Sequence, residues 1–324
     1  MSPRLAGVTL ISDMSEDALI ALFAPRLPRT DAEILGPGDD AAVLAVDGDL
    51  VVSSDVLIEG YHFRTDWGTA RDVGWRAAMQ NLADIDAMGA VPTALQVTLA
   101  APGSTPVEWV LGFVDGLRDA CEPHGVGVVG GDLSGAEQIA VSVTVLGETH
   151  GVTPVTRADA VVGDVVAVSG PLGAAAAGLA QCVGGMRVDE EAVGLFLRPA
   201  PRIGAGLEAA LHGVHAMMDV SDGLLRDAGR LARASEVVVE VDGAAVPIHG
   251  AAERTAVLLG ADARVWALTG GEDHHLVATF GSPASVPAGW TVVGVVRDAA
   301  PGEAYGVRVD GVEPDALGWD HFGH

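Results

Sequence analysis

The residues best suited to chemistry in this chain are aspartates that stand beside glycine or serine at predicted element ends. Glycine lets a ligand approach the backbone closely, and carboxylate oxygens are hard ligands of the kind that magnesium prefers. Ordinary turn usage accounts for any single Asp-Gly pair. Several such places in one chain favour a carboxylate site for metal ions, provided that the fold brings them together. They are Gly38-Asp39-Asp40, Ser53-Ser54-Asp55, Gly130-Gly131-Asp132, Asp219-Val220-Ser221-Asp222-Gly223 and Gly270-Gly271-Glu272-Asp273.

The charge balance limits what the protein can bind. The formal net charge is −26, and all 18 basic residues are arginine, since the chain has no lysine. This argues against nucleic acid and anionic membranes as partners. No phosphate-loop motif and no dinucleotide-binding glycine motif is present. Any bound phosphate must therefore be held by arginine, by backbone N–H groups or by divalent metal ions. Codon bias or a salt-adapted host explains the missing lysine without any functional role.

The length of 324 residues allows two domains of ordinary size. Neither a secretory signal nor an apolar run long enough to span a membrane is found, so we expect a cytoplasmic protein with no membrane partner. Two cysteines, Cys121 and Cys182, have no metal-ligand spacing and are expected to be buried thiols.

Short valine-rich runs alternate with helical patterns, which predicts an α/β (mixed α+β) fold. The polar stretch 150–164 is the best candidate linker and separates a domain over 1–150 from one over 151–324. Asp222 is the expected N-cap of a helix over 222–235. Other predicted helices cover 71–88, 106–122 and 174–183. Predicted strands cover 41–46, 50–54, 95–100, 127–129, 139–146, 165–169, 215–220, 237–241, 264–268, 275–280 and 291–296.

These motifs, taken in order from residue 36 to residue 322, resemble those of thiamine-monophosphate kinases. The resemblance adds four segments to the five already named: Glu59-Gly60-Tyr61-His62-Phe63, Asn81-Leu82-Ala83-Asp84, Arg198-Pro199 with Pro201-Arg202, and Trp319-Asp320-His321-Phe322. Each motif is weak by itself, but the ordered set covers nearly the whole chain. One departure is His274-His275, where the family typically has Tyr-Glu.

The resemblance implies the two-domain fold of aminoimidazole ribonucleotide synthetase, a homodimer formed through the N-terminal domain, several magnesium ions and ATP as co-substrate. The implied magnesium ligands are Asp40, Ser53, Ser54, Asp55, Asp84, Asp132, Asp219 and Asp222. The implied ATP contacts are Gly131, Asp132, Arg157 and Ser221. The implied contacts to thiamine monophosphate are His62, Glu272 and Trp319.

The expected reaction is direct in-line transfer of a phosphoryl group from ATP to the phosphate of thiamine monophosphate. That acceptor has a second pKa near ~6 and is already ionised at neutral pH, so we expect no general base and no catalytic side chain beyond the metal site. Two alternatives stay open: another ATP-dependent enzyme resembling aminoimidazole ribonucleotide synthetase, and a non-catalytic acidic protein that binds metal or metabolites.

Overall fold

A computed structural model describes residues 8–37 and 41–319 of the chain. The chain divides into two compact units, each with its own core. The first unit comprises the described residues of Met1–Leu82 and Pro92–Glu148, and the second comprises those of Ala83–Val91 and Thr149–His324. None of the helices in the described part of the chain is both long and apolar enough to cross a membrane.

The first unit combines a mixed sheet with three helices in its described residues. The helices are α1 (Glu16–Phe23), α2 (Ala70–Ala87, whose last residues belong to the second unit) and α3 (Val107–Cys121). The strands are β1 (Glu33–Leu35), β2 (Val43–Leu44), β3 (Leu50–Ile58), β4 (Val91–Ala101), β5 (Gly127–Gly135) and β6 (Ala140–Glu148). The sheet order is β3-β6-β4-β5, with β3 antiparallel to β6 and β5 parallel to β4, while β1 and β2 pair separately.

Helices α2 and α3 pack with their backbones in contact. A Cβ atom at Gly116 would lie 2.1 Å from the carbonyl oxygen of Arg71, and one at Gly74 would lie 2.0 Å from that of Phe113. Any side chain at either position would therefore push the helices apart. This close packing fixes α2, whose Gln80 reaches strand β3.

The second unit has a sheet that is buried on both faces. Its described strands, in the order β12-β9-β11-β7-β10-β8, are β12 (Gly306–Val309), β9 (Val238–Val241), β11 (Thr291–Arg297), β7 (Val165–Val168), β10 (Leu276–Phe280) and β8 (Val214–Asp219). Its helices are α4 (Ala174–Val183), α5 (Glu190–Leu197), α6 (Ala205–Leu211), α7 (Leu224–Ala234), α8 (Gly250–Leu259) and α9 (Ala263–Thr269). Met217 and Met218, adjacent on β8, belong to different core clusters because successive side chains of a strand point to opposite faces.

The structure corrects several predicted elements. The predicted strand 264–268 lies in helix α9, which begins at Ala263 because the Asp262 carboxylate accepts the backbone N–H of Arg264 at 2.8 Å. Asp222 is not the N-cap of α7; that helix begins at Leu224 after Gly223, whose φ is +113°. Helices α1, α5, α6 and α8 were not predicted.

Two of the chemical motifs also differ from their predicted positions. Asp55 and Asp132 do not end their strands but lie inside β3 and β5, because both strands continue beyond the predicted ends. Asp219 does end its strand, as predicted.

A buried carboxylate anchors the N-terminus of α4. Asp273 accepts the backbone N–H groups of Gly173 at 2.6 Å and Ala175 at 2.9 Å. Burial raises the pKa of Asp273 to about 6, although these hydrogen bonds partly oppose the rise. A carboxyl whose pKa is raised on folding stabilises the protein fully below its unfolded pKa, and this contribution is lost as the pH rises through the folded value.

We therefore expect the stability of the wild type relative to Asp273→Asn to fall by about 2 kcal/mol between about pH 4.5 and 7.5, because asparagine does not ionise. Urea unfolding of both proteins across this range measures the difference. Asp189→Asn is the matched control, since Asp189 caps α5 and the pKa of its carboxyl is lowered by a hydrogen bond from Arg254. The difference in stability between Asp189→Asn and the wild type should stay constant over the same pH range. Parallel curves for the wild type and Asp273→Asn would contradict the assignment.

Candidate active site

In the first unit, helix α2 holds the Asp55 side chain. Gln80 Nε2 donates to Asp55 Oδ2 at 2.6 Å, and the backbone N–H of Val56 donates to Oδ1 at 2.7 Å. Strand alternation puts the exposed Ser54 on the opposite face from Asp55, next to the exposed side chains of Val52 and Val56. Gln80 was missed by the sequence analysis, because nothing in a helical pattern marks a residue that reaches another element.

Gly131 and Asp132 lie on β5, with Asp132 opposite Thr98 of β4. A Cβ atom at Gly131 would lie 1.8 Å from the Val97 carbonyl oxygen, so strand packing alone requires glycine there, whatever else binds. The exposed Asp132 carboxylate accepts the Ser134 hydroxyl at 3.0 Å.

The sheet order does not bring Asp55 and Asp132 together within one chain. Their strands, β3 and β5, are the outer strands of the sheet, and β6 and β4 lie between them. Three strand spacings separate the outer strands by about 14 Å in a flat sheet. Carboxylates so far apart do not ligate one ion.

A cavity of about 340 Å³ lies in the first unit between helices α1 and α3 and strands β4 and β5. Apolar side chains such as Phe113, Leu99 and Val128 line most of it, and Gly131 and Asp132 also line it. The cavity thus combines an apolar wall with two carboxylate residues, Glu16 and Asp132, which is an arrangement typical of small-molecule sites.

His62 lies in the turn that follows β3. The backbone N–H of Ile58 donates to His62 Nδ1 at 3.0 Å, so the neutral ring carries its proton on Nε2. Asp40 lies outside the described residues. Asp84 lies partly buried in the last turn of α2, in the stretch assigned to the second unit.

In the second unit, backbone hydrogen bonds gather three predicted segments. The N–H of Glu272 donates to the Ser221 carbonyl at 2.8 Å, and the N–H of Trp319 donates to the Asp222 carbonyl at 2.9 Å. Asp219, at the end of β8, begins the same loop. The structure therefore brings Asp219, Ser221, Asp222, Glu272 and Trp319 together, with Trp319 60% exposed.

Asp227 shapes this loop, and the sequence analysis gave it no role. Its fully buried carboxylate accepts the N–H groups of Ser221 at 3.1 Å and Asp222 at 2.9 Å. Burial, followed by repulsion from Asp219, raises the pKa of Asp227 to about 7. The sequence signal that could have identified Asp227 was its position in the first turn of α7, just after the Asp219–Gly223 motif.

Arg230 is the cation of the same cluster. Its guanidinium Nη1 lies 2.7 Å from Asp222 Oδ2 and 2.6 Å from Asp227 Oδ1. Arg230 thus pairs both with Asp222, a proposed metal ligand, and with the buried carboxylate of Asp227, which shapes the loop.

His274 is another group to which the sequence analysis gave no role. Its ring, 5% exposed, has Nδ1 3.4 Å from Asp219 Oδ2 and Nε2 3.7 Å from Glu272 Oε2. Burial alone would lower the pKa of His274, but Asp219 and Glu272 outweigh it and raise the pKa above its ordinary value.

Arg157, predicted to contact ATP, is exposed in the segment before β7, where its carbonyl accepts the Ser235 hydroxyl at 2.8 Å. Among residues 8–37 and 41–319, no three histidine, cysteine, aspartate or glutamate side chains lie close enough to hold one metal ion. The carboxylates gathered in the second unit are still hard oxygen donors of the type that magnesium prefers.

Comparison with known proteins identifies the family. Residues 38–149 match the AIR synthase related protein N-terminal domain, and residues 161–299 match the corresponding C-terminal domain. The thiamine-monophosphate kinase of Mycobacterium tuberculosis is 46% identical over 316 residues, which cover 97% of this chain and 93% of that protein.

Solved structures agree with this result. The crystal structure of thiamine-monophosphate kinase from Stenotrophomonas maltophilia K279a has a TM-score of 0.79 and 35% identity, covering 92% of this chain and 98% of that one. The structure of AaThiL complexed with AMPPCP and TMP has a TM-score of 0.76 and 29% identity, covering 98% of this chain and 100% of that one. By sequence and by fold, this chain belongs to the thiamine-monophosphate kinase family.

Proposed function

We propose that this protein transfers the terminal phosphoryl group of ATP to thiamine monophosphate and so produces thiamine diphosphate. The observation that carries the proposal is the convergence of Asp219, Ser221, Asp222, Glu272 and Trp319 in the second unit of a chain from this family. The relative solved with AMPPCP, an ATP analogue, and TMP supports the same pair of substrates.

The 340 Å³ cavity of the first unit is our candidate for the adenine site. Its apolar lining suits a flat base, and Gly131 and Asp132 at its wall are the residues already expected to contact ATP. The other two expected ATP contacts, Arg157 and Ser221, would hold phosphate oxygens through a guanidinium group and a hydroxyl group.

Thiamine monophosphate would contact His62, Glu272 and Trp319. The exposed indole of Trp319 offers a face on which the cationic thiazolium ring can stack, a contact that contributes about 0.5–2 kcal/mol. The Glu272 carboxylate complements the same positive charge.

The residues that would hold magnesium are Asp40, Ser53, Ser54, Asp55, Asp84, Asp132, Asp219 and Asp222. Each of them offers an oxygen atom as a ligand. The Asp219 and Asp222 carboxylates already lie against the countercharges of His274 and Arg230. When bound, magnesium supplies the positive charge that lets two phosphate groups approach each other.

We infer a direct transfer without a phosphoenzyme. The acceptor phosphate is largely ionised at neutral pH, so the side chains need only bind and orient the two substrates. With ATP made chiral at its terminal phosphorus, we expect inversion in the product, because each in-line displacement inverts phosphorus. Retention, or a labelled protein isolated after incubation with ATP alone, would require a covalent intermediate.

The function is tested by incubating the protein with ATP, magnesium chloride and thiamine monophosphate and measuring thiamine diphosphate by chromatography. We expect product, its loss in EDTA and its recovery with added magnesium. ATP consumption with no thiamine diphosphate would favour another enzyme of this fold, and no reaction of either kind would favour a binding protein.

In the same assay, Asp55→Asn and Asp132→Asn should each lower the rate at least about 100-fold, equivalent to roughly 2.7 kcal/mol of barrier. Asp86→Asn is the control. The Asp86 carboxylate accepts the N–H groups of Gly204 and Gly206 at 3.0 Å, and an asparagine oxygen can still accept there. An equal loss in Asp86→Asn would refute the metal assignment.

We also propose a homodimer, formed through the first unit, that works in the cytoplasm. The free sheet face of β3 exposes Leu50, Val52 and Val56, which a second copy could cover. A second copy could also bring the edge with Asp132 beside the edge with Asp55, which one chain keeps apart. Light scattering at micromolar concentration should give about twice the 32.9 kDa of one chain, and a monomer mass would contradict this proposal.

A further inference from the structure

We propose that His274 is a positioning residue that fixes the Glu272 carboxylate relative to Asp219, and so ties thiamine monophosphate binding to the metal side of the second unit. The proposal rests on the proposed function, because that function gives Glu272 and Asp219 their roles. His274 has no place in the family resemblance, since it stands where the family typically has tyrosine.

The side-chain geometry is the first support. His274 is 5% exposed, and its two ring nitrogens face two different carboxylates, Asp219 Oδ2 at 3.4 Å and Glu272 Oε2 at 3.7 Å. The Glu272 side chain is 36% exposed, so the imidazole contacts this carboxylate from its buried side.

The hydrogen bonding of the ring is the second support. His274 Nε2 is buried and has no partner within hydrogen-bonding distance in the structure, and Glu272 Oε2 lies just beyond that limit. A buried polar atom without a partner is destabilising. A small movement of the Glu272 carboxylate toward the ring would remove this penalty, which favours one orientation of the carboxylate.

The backbone is the third support. Glu272 and His274 have φ values of +72° and +54°, which are unfavourable for side chains larger than glycine. Between them, Asp273 is bound to the N-terminus of α4, and the N–H of His274 donates to the Val220 carbonyl at 3.0 Å. The segment therefore keeps a strained conformation that places the Glu272 carboxylate against the His274 imidazole.

Calorimetry with thiamine monophosphate, in the presence of magnesium and AMPPCP, tests the proposal. His274→Ala should weaken thiamine monophosphate binding about tenfold, while AMPPCP binding stays within about twofold. The Glu272→Ala, His274→Ala double variant should bind no more weakly than Glu272→Ala alone, because His274 acts through Glu272. Unchanged affinity in His274→Ala, or losses that add in the double variant, would overturn the proposal.

Two further variants separate positioning from folding. His274→Gln keeps an N–H donor and should bind within about threefold of the wild type, whereas His274→Phe keeps a ring without a donor and should lose about tenfold, as alanine does. If His274→Ala does not fold, these two variants decide the question. A glutamine variant as weak as the phenylalanine variant would show that the donor does not matter, and a phenylalanine variant as tight as the wild type would show that only packing matters; either result would overturn the proposal.

His215→Ala is the matched control, because His215 pairs with Asp164 at 2.9 Å at the opposite end of the same strand β8. It should leave thiamine monophosphate affinity unchanged. A loss equal to that of His274→Ala would mean that any histidine–aspartate pair of this sheet has the same effect, and would overturn the proposal.

Failure of the proposed function gives a different result. If the wild type binds AMPPCP but not thiamine monophosphate, the proposed substrate is wrong. The role of His274 is then read from magnesium affinity measured with AMPPCP present. His274→Phe combined with Asp219→Asn should be no weaker than Asp219→Asn alone, and additive losses would refute the coupling.

Discussion

The second unit depends on one repeated interaction, a buried carboxylate that accepts two backbone N–H groups. Asp86 binds the N–H groups of residues 204 and 206, Asp227 those of residues 221 and 222, and Asp273 those of residues 173 and 175. Buried carboxylates are strongly destabilising when they lack hydrogen-bond partners, and they make the bound segments rigid when their hydrogen bonds are satisfied. The loops that carry Ser221, Asp222 and Glu272 are therefore held by acids that are themselves outside the proposed chemistry.

This arrangement follows from the composition. With 44 acidic residues and 18 arginines, most carboxylates have no side-chain cation available. In the described residues, the chain meets this constraint with backbone donors in the interior, and two of its cations lie beside proposed ligands, Arg230 beside Asp222 and His274 beside Asp219. Codon bias alone explains the missing lysine, and it is compatible with this arrangement. Arginine and histidine supply hydrogen-bond donors of fixed geometry, so the proposed site does not need lysine.

The sequence predicted the two-domain α/β architecture, and the segments that it marked as a candidate site lie together in the second unit, because glycine and aspartate leave strong local signals. It failed where tertiary contacts decide. Asp262 makes 264–268 helical, although the short run with Val265 and Leu268 suggested a strand. Asp55 and Asp132 fall inside strands because neighbouring strands extend the pairing past the polar residues. Asp227 and Arg230 were not assigned as site residues, since a helical pattern does not show which carboxylate a partly buried arginine will contact.

Arg230 shows how a loop can hold an acid close to a proposed metal site without blocking it. If its guanidinium bound only Asp222, any ion that bound Asp222 would leave a partly buried cation without a partner, which is destabilising. The same guanidinium also lies 2.6 Å from Asp227, which is fully buried and bonded to the loop backbone. The Asp222 side chain can therefore turn toward an incoming cation while Arg230 keeps its ion pair with Asp227. The loop backbone would not need to move, because Asp227 holds the N–H groups of Ser221 and Asp222 in either case.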